Sequence, residues 1–280
     1  MDTARIAALL EPFLEQSLSP AQLDQVSIYI DLLLRWNARI NLTAIRKEEE
    51  IVTRHFGESF FMASHLFPAD PVARTLLSAN ADTTQEPPIT QSPNHRCHPE
   101  RSHAIRDADG AAESKDPYTT HHPPGRPQGG ADHCPLTTNH CISRVLDIGS
   151  GAGFPALPLK IWTPQIHLTL IESNHKKAAF LREVARALTL TNINVITDRT
   201  ETLLARSDFP RADVVTLRAV EHFATILPQA AAFLAPGGCL ALLIGTAQIP
   251  HLAGLKSVQW RQPINVPKSH SRMLSIGIHK

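Results

Sequence analysis

The sequence predicts an α/β protein with a doubly wound, mostly parallel seven-stranded sheet and a helical extension at its N-terminus. Seven short apolar runs typical of strands follow one another from Arg144 onward: RVLDIG, IHLTLIE, INVIT, ADVVTL, GCLALLIG, SVQWRQ and MLSIGI. Stretches of helical period lie between them, among them NHKKAAFLREVARAL and HFATILPQAAAFL, the second closed by PGG. Such alternation is typical of βαβ units, whose strands pair in parallel.

The first 67 residues hold helical patterns instead. Ser19 is a good N-cap, and Pro20 suits the first position of a helix. The apolar residues that follow recur at helical spacing and form one apolar face: Leu23, Val26, Ile30, Leu33 and Leu34. A second helix is predicted near residues 48–66, with three glutamates in its first turn, where they favour the helix dipole. We expect residues 1–67 to pack on the α/β core of residues 142–280 as one domain.

Residues 68–141 are predicted to be a disordered insertion between these two parts. The segment holds 11 of the 22 prolines and 7 of the 15 histidines, and it shows neither strand nor helical period. Such a composition buries too little apolar surface to offset the entropy of ordering it. Several side chains are of types that bind zinc: His95, Cys97, His98, Cys134, His140 and Cys141. Their spacing matches no zinc motif, so we expect no metal.

The composition narrows the class of protein without naming its partner. The 280 residues are 42% hydrophobic and 19% charged, and no apolar run approaches the roughly 18–20 residues of a membrane helix. The N-terminus lacks the pattern of a signal peptide, and the four cysteines do not suggest a disulfide framework. We therefore expect a monomeric cytoplasmic protein that does not contact a membrane. A net charge of +1 argues neither for nor against nucleic acid.

A loop with three glycines follows the first predicted strand of the core. Gly149, Gly151 and Gly153 alternate with other residues at the edge where such sheets bind ligands. Asp147 precedes the loop, and Glu172 ends the second predicted strand. A dinucleotide site has the longer pattern G-x-G-x-x-G, and its pyrophosphate would be repelled by a carboxylate.

S-adenosylmethionine suits this loop better, because it carries a sulfonium and an ammonium group instead of phosphates. Glu172 is then placed to accept the ribose hydroxyls, as an acid does at this position in either class of site. The pattern therefore favours S-adenosylmethionine over a dinucleotide or a glycine turn without a ligand. It predicts a Rossmann-like methyltransferase fold.

The residues after the fourth predicted strand bear on the methyl acceptor. Adenine amino-group methylases commonly offer an Asn/Asp-Pro-Pro-aromatic loop there, whereas this chain reads TLRAVE. Pyrimidine C5 methylases need a cysteine nucleophile, and neither Cys141 nor Cys239 is placed for that role. Arg218 stands there instead, either as a cation at the mouth of the site or as part of a surface salt bridge. Arginine is a common partner of guanine O6 and phosphate, and guanine N7 needs alignment but no general base.

Several longer stretches have a close counterpart in a known family: LLLRWNARINLTAIR, RHFGESF, VLDIGSGAGFPALPL, LIESNHKKAAFLREV, DRTE, VVTLRAVE and HSRMLSIGI. With them the chain resembles the RsmG (GidB) family of bacterial 16S rRNA guanine-N7 methyltransferases. The W-N-x-x-x-N-L-T segment is more specific than the glycine loop, which many methylases share. The resemblance implies S-adenosylmethionine as cofactor, and 16S rRNA, the small ribosomal subunit or its assembly intermediate as partner. It also implies that the acceptor is N7 of a guanine in the decoding-region loop of 16S rRNA (the 530 loop, expected position 527).

The resemblance also implies roles for single residues. Gly149 and Phe154 are expected to line the cofactor pocket, and Thr200 and Glu201 to flank the adenine. Arg218 is expected to lie near both cofactor and guanine as the catalytic residue. The candidates for RNA contacts are His55, Lys176, Arg199 and Arg272, although Lys176 has a solvated alternative and His55 a packed one.

Two other functions stay open at this point. The chain has Leu-Ile-Gly at residues 243–245, where the family usually has Leu-Lys-Gly, so a cation near the site is missing. This departure makes a degenerate methyltransferase fold with a binding or regulatory role one alternative. The other is a methyltransferase of the same fold that acts on a small molecule.

Overall fold

Among the residues that the structure describes, four α-helices precede the sheet. The computed structural model describes residues 1–68, 143–218 and 222–280, which belong to one compact unit. Apart from Pro68, the predicted insertion and its candidate zinc ligands lie outside these ranges, and the predicted domain boundaries stay a prediction. The first helices are α1 (Thr3–Leu10), α2 (Pro20–Asn37), α3 (Glu48–Ile51) and α4 (Glu58–Leu66).

The start of α2 follows the predicted capping signal. The Ser19 hydroxyl accepts a hydrogen bond from the backbone N–H of Gln22, and the Gln22 side chain accepts one from the backbone N–H of Ser19. This reciprocal capping box satisfies two donors that a helix otherwise leaves free. Pro20 occupies the first turn, where no N–H is needed.

A π-helical turn, Val52–Gly57, interrupts the second predicted helix between α3 and α4. The predicted helical stretch near residues 48–66 is confirmed, and the π-helical turn within it was not predicted. At Gly57 an added Cβ would lie 2.7 Å from the Phe13 ring, so the end of the π-helical turn lies closer to Phe13 than a side chain at position 57 would allow. Such turns leave backbone carbonyls without regular helical partners, and two of these carbonyls matter for the site.

The sheet of the described residues has eight strands. They are β1 (Arg144–Ile148), β2 (His167–Ile171), β3 (Ile193–Ile196), β4 (Ala212–Arg218), β5 (Leu234–Gly245), β6 (Val258–Trp260), β7 (Ile264–Asn265) and β8 (Arg272–His279). Their order is β3-β2-β1-β4-β5-β8-β6, and β7 pairs with β8 outside this path. The predicted seven strands lie on the path. The eighth, β7, is a two-residue strand that the sequence analysis did not predict.

The first five strands pair in parallel, and the C-terminal strands pair antiparallel with β8. In the described part of the chain, five α-helices connect or follow the strands: α5 (Ala156–Trp162), α6 (His175–Ala187), α7 (Thr200–Leu204), α8 (Phe223–Ala232) and α9 (Ile249–Leu252). This order confirms the predicted doubly wound, mostly parallel sheet of a Rossmann-like fold.

Two apolar clusters cover the two faces of the sheet. On β1, Val145 joins the cluster that contains the N-terminal helices, α5 and α6, whereas Leu146 joins the cluster that contains α8. Both side chains are buried, as expected for a parallel sheet with helices on both faces. The N-terminal helices therefore contribute a layer of the main core. Among the residues that the structure describes, no helix is long and apolar enough to span a membrane.

The strand order reverses between β1 and β4. Chain connections leave these two neighbouring strands in opposite directions across the sheet, which opens a crevice at their carboxyl ends. Asp147 of β1 and Thr216 of β4 are paired in register there. The predicted glycine loop begins at this point of the sheet.

Candidate functional site

The glycine loop is held in place by the neighbouring strand β2. The backbone N–H groups of Gly149 and Ser150 both donate to the carbonyl oxygen of Ile171, at 2.9 and 3.0 Å. Gly149, Gly151 and Gly153 all have positive φ, at 68°, 55° and 87°. Non-glycine residues rarely adopt this conformation, so the loop needs glycine at each alternate position.

The three glycines differ in what lies beside them. A Cβ at Gly153 would lie 2.4 Å from the Tyr29 hydroxyl of α2 and 2.6 Å from Cδ1 of Leu157. At Gly151 it would meet only the carbonyl of Gly149, at 3.7 Å. Gly153 therefore serves the close packing of the N-terminal helices on the loop, whereas Gly151 leaves room for a ligand. The Tyr29 hydroxyl also donates to the Ala152 carbonyl of the same loop.

Asp147 is a buried carboxylate at the end of β1, only 1% exposed. Its Oδ1 accepts a hydrogen bond from the Thr216 hydroxyl at 2.5 Å, and among the described residues its Oδ2 has no hydrogen-bond partner. Burial raises the pKa of Asp147 to about 6, although the Thr216 hydroxyl acts in the opposite direction. A buried carboxylate with one unpaired oxygen suits a cationic or hydrogen-bond-donating ligand.

Asp147→Asn should stabilise the ligand-free protein at neutral pH. The pKa of about 6 in the folded state exceeds the usual 3.8, so deprotonation opposes folding and stability falls as pH rises from about 4 to 6. The amide removes this penalty of about 3 kcal/mol. Urea unfolding at pH 7 should show a gain of about 1–3 kcal/mol, which shrinks towards zero near pH 4. An equal gain at both pH values would contradict the buried charge.

Glu172 follows β2 and faces the same loop. Its Oε2 accepts from the backbone N–H of Gly151 at 2.8 Å, and its Oε1 accepts from that of Asn174, also at 2.8 Å. The carboxylate is 6% exposed and helps to raise the pKa of Asp147. Each oxygen keeps a further lone pair, so the predicted role with ribose hydroxyls stays open. Two acidic side chains thus adjoin the glycine loop.

Arg218 ends β4 and is buried, with its side chain 6% exposed. Its Nη2 lies 2.9 Å from Oε2 of Glu58, whose side chain is 3% exposed. Nη2 also donates to the Arg54 carbonyl of the π-helical turn, whereas Nη1 donates to the His55 carbonyl of this turn and lies 3.5 Å from the Ser59 hydroxyl. Burial lowers the pKa of Arg218 to about 10, and the Glu58 charge acts against this shift. The guanidinium is therefore charged, but it faces the N-terminal helices instead of forming an open cation at the site mouth.

The π-helical turn places His55 against the glycine loop. The His55 ring stacks on the Phe154 ring, with centroids 4.7 Å apart and planes at 17°. The Phe154 ring also stacks on the Tyr29 ring, with centroids 5.2 Å apart and planes at 5°. Burial is the main cause that lowers the pKa of His55 to about 3, and the charge of Arg218 is the next. The ring is therefore neutral at physiological pH and packed on Phe154, which agrees with the packed alternative for His55, and its contact with RNA stays a prediction.

The remaining predicted site residues lie at the same carboxyl edge of the parallel strands. Thr200 is buried at the start of α7, and the exposed Glu201 accepts from the Gln229 side chain at 3.3 Å. The candidates for RNA contacts differ in exposure. Lys176 near the start of α6 and Arg199 before α7 are exposed, while Arg272 is half-buried at the start of β8 beside Gly245. The roles of these residues stay predictions.

Ile244, the central residue of the Leu-Ile-Gly segment, is part of the apolar core. It is 2% exposed and belongs to the apolar cluster on the α8 face of the sheet. The preceding residue of β5, Leu243, belongs to the apolar cluster on the other face of the sheet. Position 244 therefore adds apolar core here instead of a cation.

Several residues that build the site were not predicted from the sequence: Tyr29, Asn37, Thr43, Glu58 and Thr216. Asn37 and Thr43 belong to the W-N-x-x-x-N-L-T segment, and Glu58 to RHFGESF, so the resemblance marked their segments without giving them a role. The signal for Thr216 was its place on the strand beside Asp147, which becomes visible only with the sheet order. Across the described ranges, no three His, Cys, Asp or Glu side chains come together as a metal site.

Comparison with known proteins gives a match over most of the chain. Residues 22–73 and 133–270 match the GidB family, described as rRNA small subunit methyltransferase G. A relative from Roseiflexus castenholzii named ribosomal RNA small subunit methyltransferase G is 32% identical over 79% of this chain and 67% of its own. Relatives of the same name from Bacillus subtilis and Xanthomonas campestris are 27% and 28% identical, over 86% and 98% of this chain and 72% and 94% of theirs.

Proposed function

Because the chain belongs to the rRNA small subunit methyltransferase G family, we propose that it transfers the methyl group of S-adenosylmethionine to N7 of a guanine in bacterial 16S rRNA. The observation that carries the proposal is the family match, which includes the glycine loop, both carboxylates and Arg218. Arg272 alone among the predicted site residues lies beyond the matched range.

The residues of the loop fit this cofactor. Asp147 and Glu172 bring two carboxylates to the glycine loop, and the nearby cation Arg218 is already paired with Glu58. A pyrophosphate would meet repulsion there, whereas the sulfonium and ammonium groups of S-adenosylmethionine are attracted. When bound, this cofactor supplies an electrophilic methyl carbon. Glu172 would hold the ribose hydroxyls, and the room beside Gly151 admits the ligand.

Methylation of guanine N7 requires mainly that the protein align the guanine with the methyl group of the cofactor. N7 carries a lone pair and loses no proton when it is methylated, so the site needs no general base. His55 is not suited to act as a general base, because its pKa lies near 3 and its ring nitrogens already contact Thr43 and Arg218. The contact of Arg218 with the guanine stays part of the proposal, and its burial supports a role in shaping the site.

The substrate state and the setting are further parts of the proposal. We infer that the protein works as a monomer in the cytoplasm, on 16S rRNA within the small ribosomal subunit or an assembly intermediate. The exposed Lys176 and Arg199 lie at the edge of the sheet where the methyl group is delivered, which supports contacts with the phosphate backbone.

The proposal is tested in a strain that lacks the gene. Borohydride and aniline cleave RNA at N7-methylguanosine, so parental 16S rRNA should be cut at one guanine of the decoding-region loop. Ribosomal RNA from the deletion strain should resist this cut, and a plasmid copy should restore it. Unchanged cleavage in the deletion strain would refute the proposed function.

The segment outside the family match should be dispensable. The match omits residues 74–132, and a long insertion in a surface connection costs little loop-closure entropy. Replacing these residues with a short Gly/Ser linker should leave the rate of methyl transfer within about twofold of the full chain. A loss of activity without a loss of folded protein would show that the segment takes part in function.

A further inference from the structure

The His55 ring is fixed by hydrogen bonds at both of its nitrogens. Nε2 lies 2.8 Å from the Thr43 hydroxyl oxygen, and Nδ1 lies 3.3 Å from Nη2 of Arg218. A guanidinium only donates, so we assign the lone pair to Nδ1; Nη2 shares its two hydrogens among this nitrogen, the Arg54 carbonyl and Glu58, and its contact with His55 is the longest of the three. The proton of the neutral ring then sits on Nε2 and is donated to Thr43. One tautomer and one ring orientation follow from these two contacts.

Thr43 is in turn held by Asn37 at the end of α2. The Asn37 side chain accepts from the backbone N–H groups of Leu42 and Thr43, at 2.9 and 3.1 Å, and donates to the Thr43 carbonyl at 2.9 Å. Asn37 is only 5% exposed, and these three bonds use most of its hydrogen-bonding capacity. They close the turn after α2 and present the Thr43 hydroxyl to His55.

The other end of this chain of contacts is the glycine loop. Phe154 ends the loop, and both the His55 and the Tyr29 rings stack on it. Stacked aromatic pairs of this kind contribute beyond their buried area, so the His55 orientation influences where the Phe154 ring rests. The ring of Phe56, the next residue of the π-helical turn, meets the Phe154 ring edge-on, with the ring centroids 5.1 Å apart.

We propose that Asn37 and Thr43 are positioning residues that act through His55 on Phe154 and so set the glycine loop for the cofactor. This inference rests on the proposed function only in naming S-adenosylmethionine as the ligand. It gives the W-N-x-x-x-N-L-T segment a physical role, and it makes His55 a support of the cofactor loop instead of a contact to RNA.

Thr43→Val tests the first step, because it keeps the shape of the side chain and removes the hydroxyl. With RNA absent, calorimetry should show S-adenosylmethionine binding about fivefold weaker, and Thr43→Ser should restore it. Thr53→Val is the matched control. Its hydroxyl donates to the Glu49 carbonyl on the same helical segment, so cofactor binding should not change.

His55 variants test the second step. His55→Phe keeps a ring on Phe154 and loses both polar contacts, whereas His55→Ala loses the ring as well. Cofactor affinity without RNA should decrease from wild type to His55→Phe to His55→Ala. Unchanged affinity in Thr43→Val and His55→Ala, together with weaker RNA binding by His55→Ala, would overturn the inference and make His55 an RNA contact.

A measurement without any ligand separates this inference from the proposed function. The ring protons of Phe154, observed by NMR in isotope-labelled protein, should shift in Thr43→Val and return in Thr43→Ser. Unchanged shifts in Thr43→Val would overturn the inference. Shifts that move as expected, in a protein that binds no S-adenosylmethionine, would support the positioning chain and refute the proposed cofactor.

Discussion

Arg218→Ala should lower the free energy of unfolding by about 3–5 kcal/mol, which is the largest effect we expect from a single substitution. The variant leaves the Glu58 carboxylate buried without its counter-ion, with a side chain only 3% exposed. It also removes the donor to the Arg54 and His55 carbonyls of the π-helical turn. Chemical denaturation at pH 7 measures the loss.

A double-mutant cycle separates the ion pair from the other contacts of Arg218. Glu58→Gln with Arg218→Met should cost less than the sum of the two single variants by about 2 kcal/mol, because no charge is left unpaired. Arg206→Ala is the control, since Arg206 and Asp208 form an exposed pair and no measurable loss is expected. Additive losses in the cycle would contradict a buried, coupled ion pair.

Gly153→Ala should destabilise the protein by about 3 kcal/mol and abolish tight cofactor binding. The residue has a φ of 87°, and the new Cβ would press on the Tyr29 hydroxyl and on Leu157. Relief of this clash would move α2 away from the loop. Thermal or urea unfolding measures the stability, and calorimetry measures binding of S-adenosylmethionine.

Gly237→Ala is a matched control for the conformational part of this effect. Gly237 has a similar φ of 73°, but no atom of the described residues lies within 4 Å of its added Cβ. The free energy of unfolding of Gly237→Ala should be about 1 kcal/mol lower than that of the wild type, because of the strained conformation alone, and the variant should bind the cofactor normally. Equal losses in the two variants would show that the close approach of Tyr29 to the loop is unimportant.

The sheet could be predicted from the sequence because its signals are local. Parallel strands buried on both faces read as short apolar runs, and the helices between them carry their own period. The two-residue strand β7 gives no period and depends on its pairing with β8, so it was missed. The π-helical turn was missed for a related reason. Its carbonyls are held by Arg218, more than 160 positions along the chain.

The site could be predicted in part. Asp147, the glycines and Glu172 belong to a local strand-loop pattern, and the structure brings them together. The contacts that hold the loop from the other side come from Tyr29 and His55 of the N-terminal helices. Nothing in their local sequence indicates that they meet the loop. The same holds for Arg218. Its position at the end of β4 did not indicate that its side chain would be buried and paired with Glu58.

Methyl transfer by the purified protein tests the proposed function most directly. Small ribosomal subunits from the deletion strain and free 16S rRNA are incubated with S-adenosylmethionine that carries a labelled methyl group, and the product is mapped by mass spectrometry. We predict one labelled methyl group per RNA, at N7 of a single guanine in the decoding-region loop. Binding of the cofactor without transfer to either RNA substrate, or a label at another atom, would contradict the proposed function.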